Sequence, residues 1–198
     1  MNAILRLLRP TLCAESVPEI DIAELKRLGV QALLLDLDNT LVLWRGWDIP
    51  AAVLDWVKEA LAQGMKVCIV SNTRNPKRVQ QLAEELGISY VRRGMKPRRG
   101  GFRDALKLLG VERAESAVVG DQIFTDVLGG NRLGVLTVLV SPMGSREFFG
   151  TKISRFFERM VLGMLERRGM LRRCGAETQS RGEHLPETGS QKESEMEP

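Results

Sequence analysis

Leu33-Leu34-Leu35-Asp36-Leu37-Asp38-Asn39-Thr40 is the stretch that decides the fold: a wholly apolar run ending in two carboxylates two positions apart. A short apolar run without polar alternation is that of a strand covered on both faces, as in the middle of a parallel sheet, so residues 31–36 are predicted as a central strand. Carboxylates just past its carboxyl end stand where open α/β sheets bind their ligands. Taking a carboxylate out of water is costly unless a cation or hydrogen bonds compensate it, and a pair at this spacing points to a bound metal. On its own, the triplet Asp36, Asp38 and Thr40 also fits a solvated turn capped by aspartates. Its meaning depends on what the rest of the chain brings to the same edge.

Working outward, the same alternation recurs from residue 21 to residue 140. Residues 21–28 open on Asp21 with Glu24 three positions later, as a capped helix does, and stop at Gly29. A second helix, with Pro50 in its first turn, stops at Gly64 and is followed by a buried strand at 66–70. Asn75 and Pro76 open a third helix that ends at Gly87, ahead of a strand at 88–91. Residues 102–109 lie in a further helix, and residues 117–119 and 136–140 are two more apolar strands. Helices alternating with short apolar runs predict an α/β domain on a doubly wound parallel sheet of five strands.

Three further features fall at the carboxyl ends of those strands. The strand at 66–70 runs into Ser71 and Asn72, whose hydroxyl and amide can donate to phosphate oxygens. Lys96, in Gly94-Met95-Lys96-Pro97, precedes a helix, where its charge and the helix dipole both favour an anion. The strand at 117–119 is followed by Gly120, Asp121 and, five residues later, Asp126. Each has a plain reading by itself: a turn, a surface lysine, a helix cap. Their shared position after successive strands makes one site the economical explanation.

In this order and spacing, the motifs resemble those of the haloacid dehalogenase-like (HAD) superfamily of phosphatases, over roughly residues 31–140. Leu8-Arg9-Pro10, Asp36-Leu37-Asp38-Asn39-Thr40-Leu41 and Gly94-Met95-Lys96-Pro97 are similar to the YqeG-type members of subfamily IIIA, a group that itself resembles mitochondrial-type phosphatidylglycerophosphate phosphatases. The resemblance implies a phosphomonoesterase acting through an aspartyl-phosphate, with Asp36 as nucleophile and Asp38 as general acid and base. It implies Mg²⁺ held by Asp36, Asp38 through its backbone carbonyl, Asp121 and Asp126, with Ser71, Asn72 and Lys96 on the phosphoryl oxygens. Between Asp38 and Ser71 lie 32 residues, and between Ser71 and Lys96 lie 24, all used by the expected helices and strands. No inserted cap domain fits there, which in this superfamily goes with open sites for large substrates. Phosphatidylglycerophosphate is the expected substrate. Nucleic acid ends, phosphoproteins and sugar phosphates are the alternatives, and a non-catalytic membrane-associated or ribosome-associated binding module is the alternative from another class.

Charge sharpens the choice of partner. The chain of 198 residues carries a net +4, but residues 174–198 hold six glutamates against Arg181 and Lys192, so the first 173 residues carry +8. Arg92, Arg93, Arg98, Arg99 and Arg103 surround Lys96, and Trp44, Arg45 and Trp47 follow the acidic pair. Such a surround suits a second phosphate or an anionic membrane, and equally a solvated basic face. With one tyrosine and six phenylalanines, mostly in apolar patterns, the aromatic platform of a nucleic-acid binder is missing. No apolar stretch approaches the roughly 20 residues of a membrane span, and three cysteines without paired spacing predict reduced thiols. The expected location is cytoplasmic, with peripheral contact to the inner face of the membrane.

Both ends are read separately from the domain at 21–173. Residues 1–20 form an N-terminal amphipathic segment, and residues 152–173 an amphipathic helix. Its apolar side carries Ile153, Phe156, Phe157, Met160, Val161, Met164 and Leu165, and its polar side is rich in arginine. Residues 174–198 are so poor in apolar side chains that a disordered tail is predicted.

Overall fold

The computed structural model describes residues 3–91, 93–144 and 149–169, with the backbone alone over 149–156. Its α-helices and strands are α1 (Ala3–Leu7), β1 (Leu12–Ala14), α2 (Ile22–Arg27), β2 (Ala32–Leu35), α3 (Ala51–Ala62), β3 (Lys66–Val70), α4 (Pro76–Leu86), β4 (Ser89–Val91), α5 (Arg99–Leu109), β5 (Ser116–Gly120), α6 (Leu128–Leu133), β6 (Leu136–Val140) and α7 (Phe149–Arg167). The strands form one sheet in the order β1-β6-β5-β2-β3-β4, parallel at every pairing. From β2 the chain winds outward through β3 to β4, then returns to the other side of β2 for β5 and β6. The winding therefore reverses between β2 and β5, and such a switch point opens a crevice at the carboxyl ends of the strands.

Strand residues alternate between two cores, as the period of two requires. Leu33 and Leu35 of β2 pack with Ile69 and Val119 beneath Val53, Trp56 and Val57 of α3 and Val79 and Leu82 of α4. Leu34 points the other way, to Cys68, Val118, and Phe102 and Leu106 of α5. All four residues of β2 are fully buried, which is why the sequence there has no polar alternation. The caps read from sequence are present: the Asp21 side chain accepts from the Glu24 N–H, Asn75 from the Arg78 N–H, and α4 ends at Gly87 in the left-handed region. Pro50 stands one place earlier than expected, at the N-cap of α3.

Two expectations need correction. The sheet has six strands, because Leu12–Ala14, assigned above to a separate N-terminal segment, pairs with β6 at the edge. Thr11 N–H donates to the Thr137 carbonyl at 2.9 Å, and Asn131 Nδ2 donates to the Leu7 and Arg9 carbonyls. Three residues are too few to display a periodicity, so only the edge pairing reveals them. In α7 the buried side is also displaced from the expected one. Leu165 and Glu158 are buried, Val161 and Leu162 pack on Ile123, Val127 and Leu139, and Phe157, Met160 and Met164 face outward at 51%, 53% and 39% exposure. The inner face includes a carboxylate, Glu158, which an apolar stripe does not reveal. The tail predicted over 174–198, and Arg92, lie outside the described residues.

Candidate active site

Asp36 follows β2 directly, and its N–H is still bonded to the Val119 carbonyl of β5. The carboxylate is thereby fixed at the switch point, 6% exposed. Asp121 follows the adjacent β5, and Asp126 sits on a π-helical turn, Ile123–Val127, that folds back toward the sheet. Single π-turns of this kind concentrate at functional sites. The result is a buried trio: one carboxylate oxygen from each of Asp36, Asp121 and Asp126 lies within 4.8 Å of the others. Gly120 permits this, because a Cβ there would run into the Asp126 carboxylate.

The counter-charge is Lys96. Its ammonium, 2% exposed, lies 2.5 Å from Asp36 Oδ1 and 2.7 Å from Asp126 Oδ1. Asn72 places it with two reciprocal bonds, Nδ2 donating to the Lys96 carbonyl at 2.9 Å and Oδ1 accepting the Lys96 N–H at 2.8 Å. Gly94 allows that loop to close on β3, since a Cβ would stand 2.5 Å from the Ser71 carbonyl oxygen. The Asn72 side chain is thus a clasp for Lys96. Ser71 Oγ accepts the Thr73 N–H at 3.1 Å and keeps its own proton for a ligand.

Burial raises the Asp36 pKa from 3.8 to about 6; the Lys96 charge opposes the shift and the Asp126 charge adds to it. For Lys96, burial works against the charged form, but Asp126 and then Asp36 outweigh it and hold the ammonium protonated. With all three acids ionised, one lysine leaves two negative charges in a closed space, the complement of a divalent cation. Oxygen donors, burial and residual charge all fit Mg²⁺ at this trio.

Asp38 has another environment. Arg78, buried on α4, holds both its oxygens, Nη2 at 2.9 Å from Oδ1 and Nη1 at 3.2 Å from Oδ2, while its Nε donates to the Gly46 carbonyl at 2.7 Å. The Arg45 N–H adds a bond to Oδ1 at 2.9 Å. The loop making this turn carries two non-glycine residues in the left-handed region, Asn39 (φ 63°) and Arg45 (φ 58°). Each costs on the order of 1 kcal/mol and persists because the surroundings hold it. The Asp38 carboxylate stands outside the acidic trio.

Asp36, Asp38, Ser71, Asn72 and Lys96, with Trp44, Arg45, Arg74, Gln122 and Thr125, line one cavity of about 480 Å³. Asp121 and Asp126 lie beneath it. Trp47 borders a neighbouring cavity, and Arg99 and Arg103 line neither. The described residues between Asp38 and Ser71 are the turn, α3 and β3, so no inserted domain covers the opening. Thr40, the third member of the triplet, donates its hydroxyl to Asp121 at 3.4 Å, whereas sequence reasoning missed Arg78 and Glu158 of α7. Glu158 Oε1 accepts the N–H groups of Ile123 and Phe124 at 2.9 and 3.4 Å, bracing the turn between Asp121 and Asp126. Neither Arg78 nor Glu158 carries a local motif. A buried acid on an amphipathic helix and an arginine three residues into α4 are ordinary in sequence.

With this geometry in place, the chain can be set beside known proteins. The HAD-hydrolase-like family matches residues 94–144. The chain is 40% identical over 146 residues to the probable phosphatase YqeG of Bacillus subtilis strain 168, covering 74% of this chain and 84% of that protein. It is 30% identical over 166 residues to phosphatidylglycerophosphate phosphatase 1, chloroplastic/mitochondrial, of Arabidopsis thaliana, covering 80% and 47%. It is 31% identical over 158 residues to the chloroplastic phosphatidylglycerophosphate phosphatase 1 of Chlamydomonas reinhardtii, covering 75% and 59%. The chain thus spans about half the length of the plant and algal relatives.

Proposed function

This chain belongs to the HAD-like phosphatase family that includes YqeG, and from that premise we propose that it hydrolyses phosphatidylglycerophosphate to phosphatidylglycerol through an aspartyl-phosphate on Asp36. The observation that carries the chemistry is the buried trio of Asp36, Asp121 and Asp126 with Lys96 set between two of them, at the foot of an uncapped cavity. The lipid substrate is supported by the two relatives named for that activity and by the open, arginine-lined mouth.

An Asp36 oxygen attacks phosphorus in line as the bond to the leaving oxygen breaks, and Asp38 supplies the proton that the leaving oxygen needs. Water then gives a proton to Asp38 and attacks the same phosphorus. The acyl-phosphate bond breaks, and Asp36 and inorganic phosphate are released. Ser71 donates its hydroxyl proton to a phosphoryl oxygen, and Lys96 offsets charge on the nucleophile side. Asp36, Asp121 and Asp126 would hold Mg²⁺, which would supply positive charge against the transferring phosphoryl group. Arg78 and the Arg45 N–H keep Asp38 at the cavity wall, clear of the metal side.

No helix among the described residues is long and apolar enough to cross a membrane. In this reading the protein meets its lipid from the surface. Phe157, Met160 and Met164 on the outer face of α7, beside Arg159, Arg167 and Arg168, are the residues offered to an anionic bilayer. The test is phosphate release from phosphatidylglycerophosphate in mixed vesicles, beside phosphorylated oligonucleotides, phosphopeptides and sugar phosphates. Release from the lipid at the highest kcat/KM supports the proposal. An inert lipid beside a readily cleaved soluble ester overturns the substrate.

A further inference from the structure

Beside the catalytic cavity lies a second of about 850 Å³ that shares Ser71, Asn72, Thr73, Arg74 and Lys96 with it. Its remaining wall brings up Arg93, Met95 and Arg98 from the loop between β4 and α5, and no carboxylate among the described residues lines it. The charge of Lys96 is spent on Asp36 and Asp126. Arg74, Arg93 and Arg98 form no ion pair among the described residues and are exposed. Arg78, by contrast, is buried and engaged by Asp38 and Gly46. The molecule therefore compensates the cations it buries and leaves three guanidiniums free around one hollow.

Like charges gathered without an acid are unfavourable for the empty protein, weakly so in water and more as a ligand displaces it. A guanidinium cluster is the arrangement that takes phosphate oxygens bidentately. The space exceeds what one phosphoryl group needs, and it opens directly off the place where the scissile phosphate sits. Met95, 48% exposed, with its backbone in the left-handed region at φ 49°, adds an apolar side chain to the rim.

We infer that Arg74, Arg93 and Arg98 form a second-anion subsite that receives a phosphodiester carried by the same substrate whose phosphate monoester enters the Asp36 cavity. The inference rests on the phosphatase reading and adds to it a requirement on substrate chemistry: two anionic groups joined by a short linker. It assigns the arginines to the substrate molecule itself and not to the surrounding bilayer.

Water-soluble compounds without acyl chains separate those two roles. Glycerol 3-phosphate carries the monoester alone, whereas glycerophosphoglycerol phosphate carries both the monoester and a diester. Wild-type protein should prefer the second by about tenfold or more in kcat/KM, a difference of about 1.4 kcal/mol in binding, expressed mainly in KM. In Arg93→Gln/Arg98→Gln the ratio between the two compounds should fall toward one, and Arg98→Lys should keep part of it. Absence of a wild-type preference overturns the inference without reference to any variant. So does a preference that survives the double substitution, or a variant that loses only vesicle binding, which would return the arginines to the bilayer. A preferred diester compound alongside an inert lipid would sink the lipid assignment and leave the subsite standing.

Discussion

Asp36 and Asp38 are two residues apart in one turn, yet they belong to different electrostatic regions. Asp36 is in the inner region, crowded by Asp121 and Asp126, neutralised in part by Lys96, and pushed toward about 6 by burial. Asp38 is in the outer region, partly exposed, with both oxygens held by Arg78 and a backbone N–H. In a regular extended segment residues two apart share a side, but the chain turns after Leu37, whose carbonyl accepts the N–H groups of Thr40, Leu41 and Val42, and each carboxylate meets a different partner. One turn thus presents one carboxylate in a lysine-paired acidic trio beside another held by an arginine.

The sharpest break of that contrast is Asp36→Asn, which removes the inner charge at almost constant volume. Phosphate release should drop about 10⁴-fold or more, as loss of a covalent nucleophile does, while circular dichroism stays that of the wild type. Measurable turnover within tenfold of wild type would end the aspartyl-phosphate assignment.

Lys96→Met comes next. Breaking a buried ion pair from one side costs about 3–5 kcal/mol, here because Asp36 and Asp126 are left to repel each other. The metal-free protein should melt at distinctly lower temperature, and kcat should fall about 10²- to 10³-fold. A variant as stable as wild type would show that the lysine is not the counter-charge.

Arg78→Met probes the outer region alone. Asp38 should lose its fixed position while the trio keeps its own, so kcat should fall about 10- to 100-fold with Mg²⁺ binding retained in calorimetry. Loss of both together would mean that the two regions are one.

Acidity separates them further. A carboxyl pKa raised by folding stabilises the protonated form, so the Asp36 contribution to stability of the metal-free protein is present below 3.8 and is lost as pH rises through about 6. Mg²⁺ needs the ionised form, so its stabilisation, about 2.7 kcal/mol at a hundredfold excess over Kd, should grow as pH rises from 5 to 7.5. Thermal shifts with and without Mg²⁺ read this directly, and Asp121→Asn should abolish the increment. An increment independent of pH would place the cation away from Asp36.

The smallest effect is expected at Glu158, which braces the turn joining Asp121 to Asp126. Glu158→Gln keeps one acceptor and should raise the Mg²⁺ Kd only a few-fold, whereas Glu158→Ala strands two N–H groups at about 1–3 kcal/mol. Equal metal affinity in all three proteins would make α7 a passive cover.

Seven candidate residues could be read from sequence because each follows a strand, and parallel strands end at one edge. What that reading missed is instructive. Asn72, read from sequence as a phosphate contact, also clasps the Lys96 backbone, a partner 24 positions away. Arg78 stands 40 positions from Asp38, and Glu158 is 35 from Ile123. The edge strand β1 is three residues long, below the length at which a pattern exists.

By itself, then, the chain determined the buried central strand, the glycine and asparagine caps that bound its helices, and the carboxylates at strand ends, because these depend on neighbours within a few residues. Tertiary structure alone decided that β5 lies against β2, which brings Asp121 and Asp126 to Asp36, and that α4 delivers an arginine to Asp38. Those pairings depend on which distant elements share a face, and a side chain's partner across a packed interface leaves no mark in local periodicity.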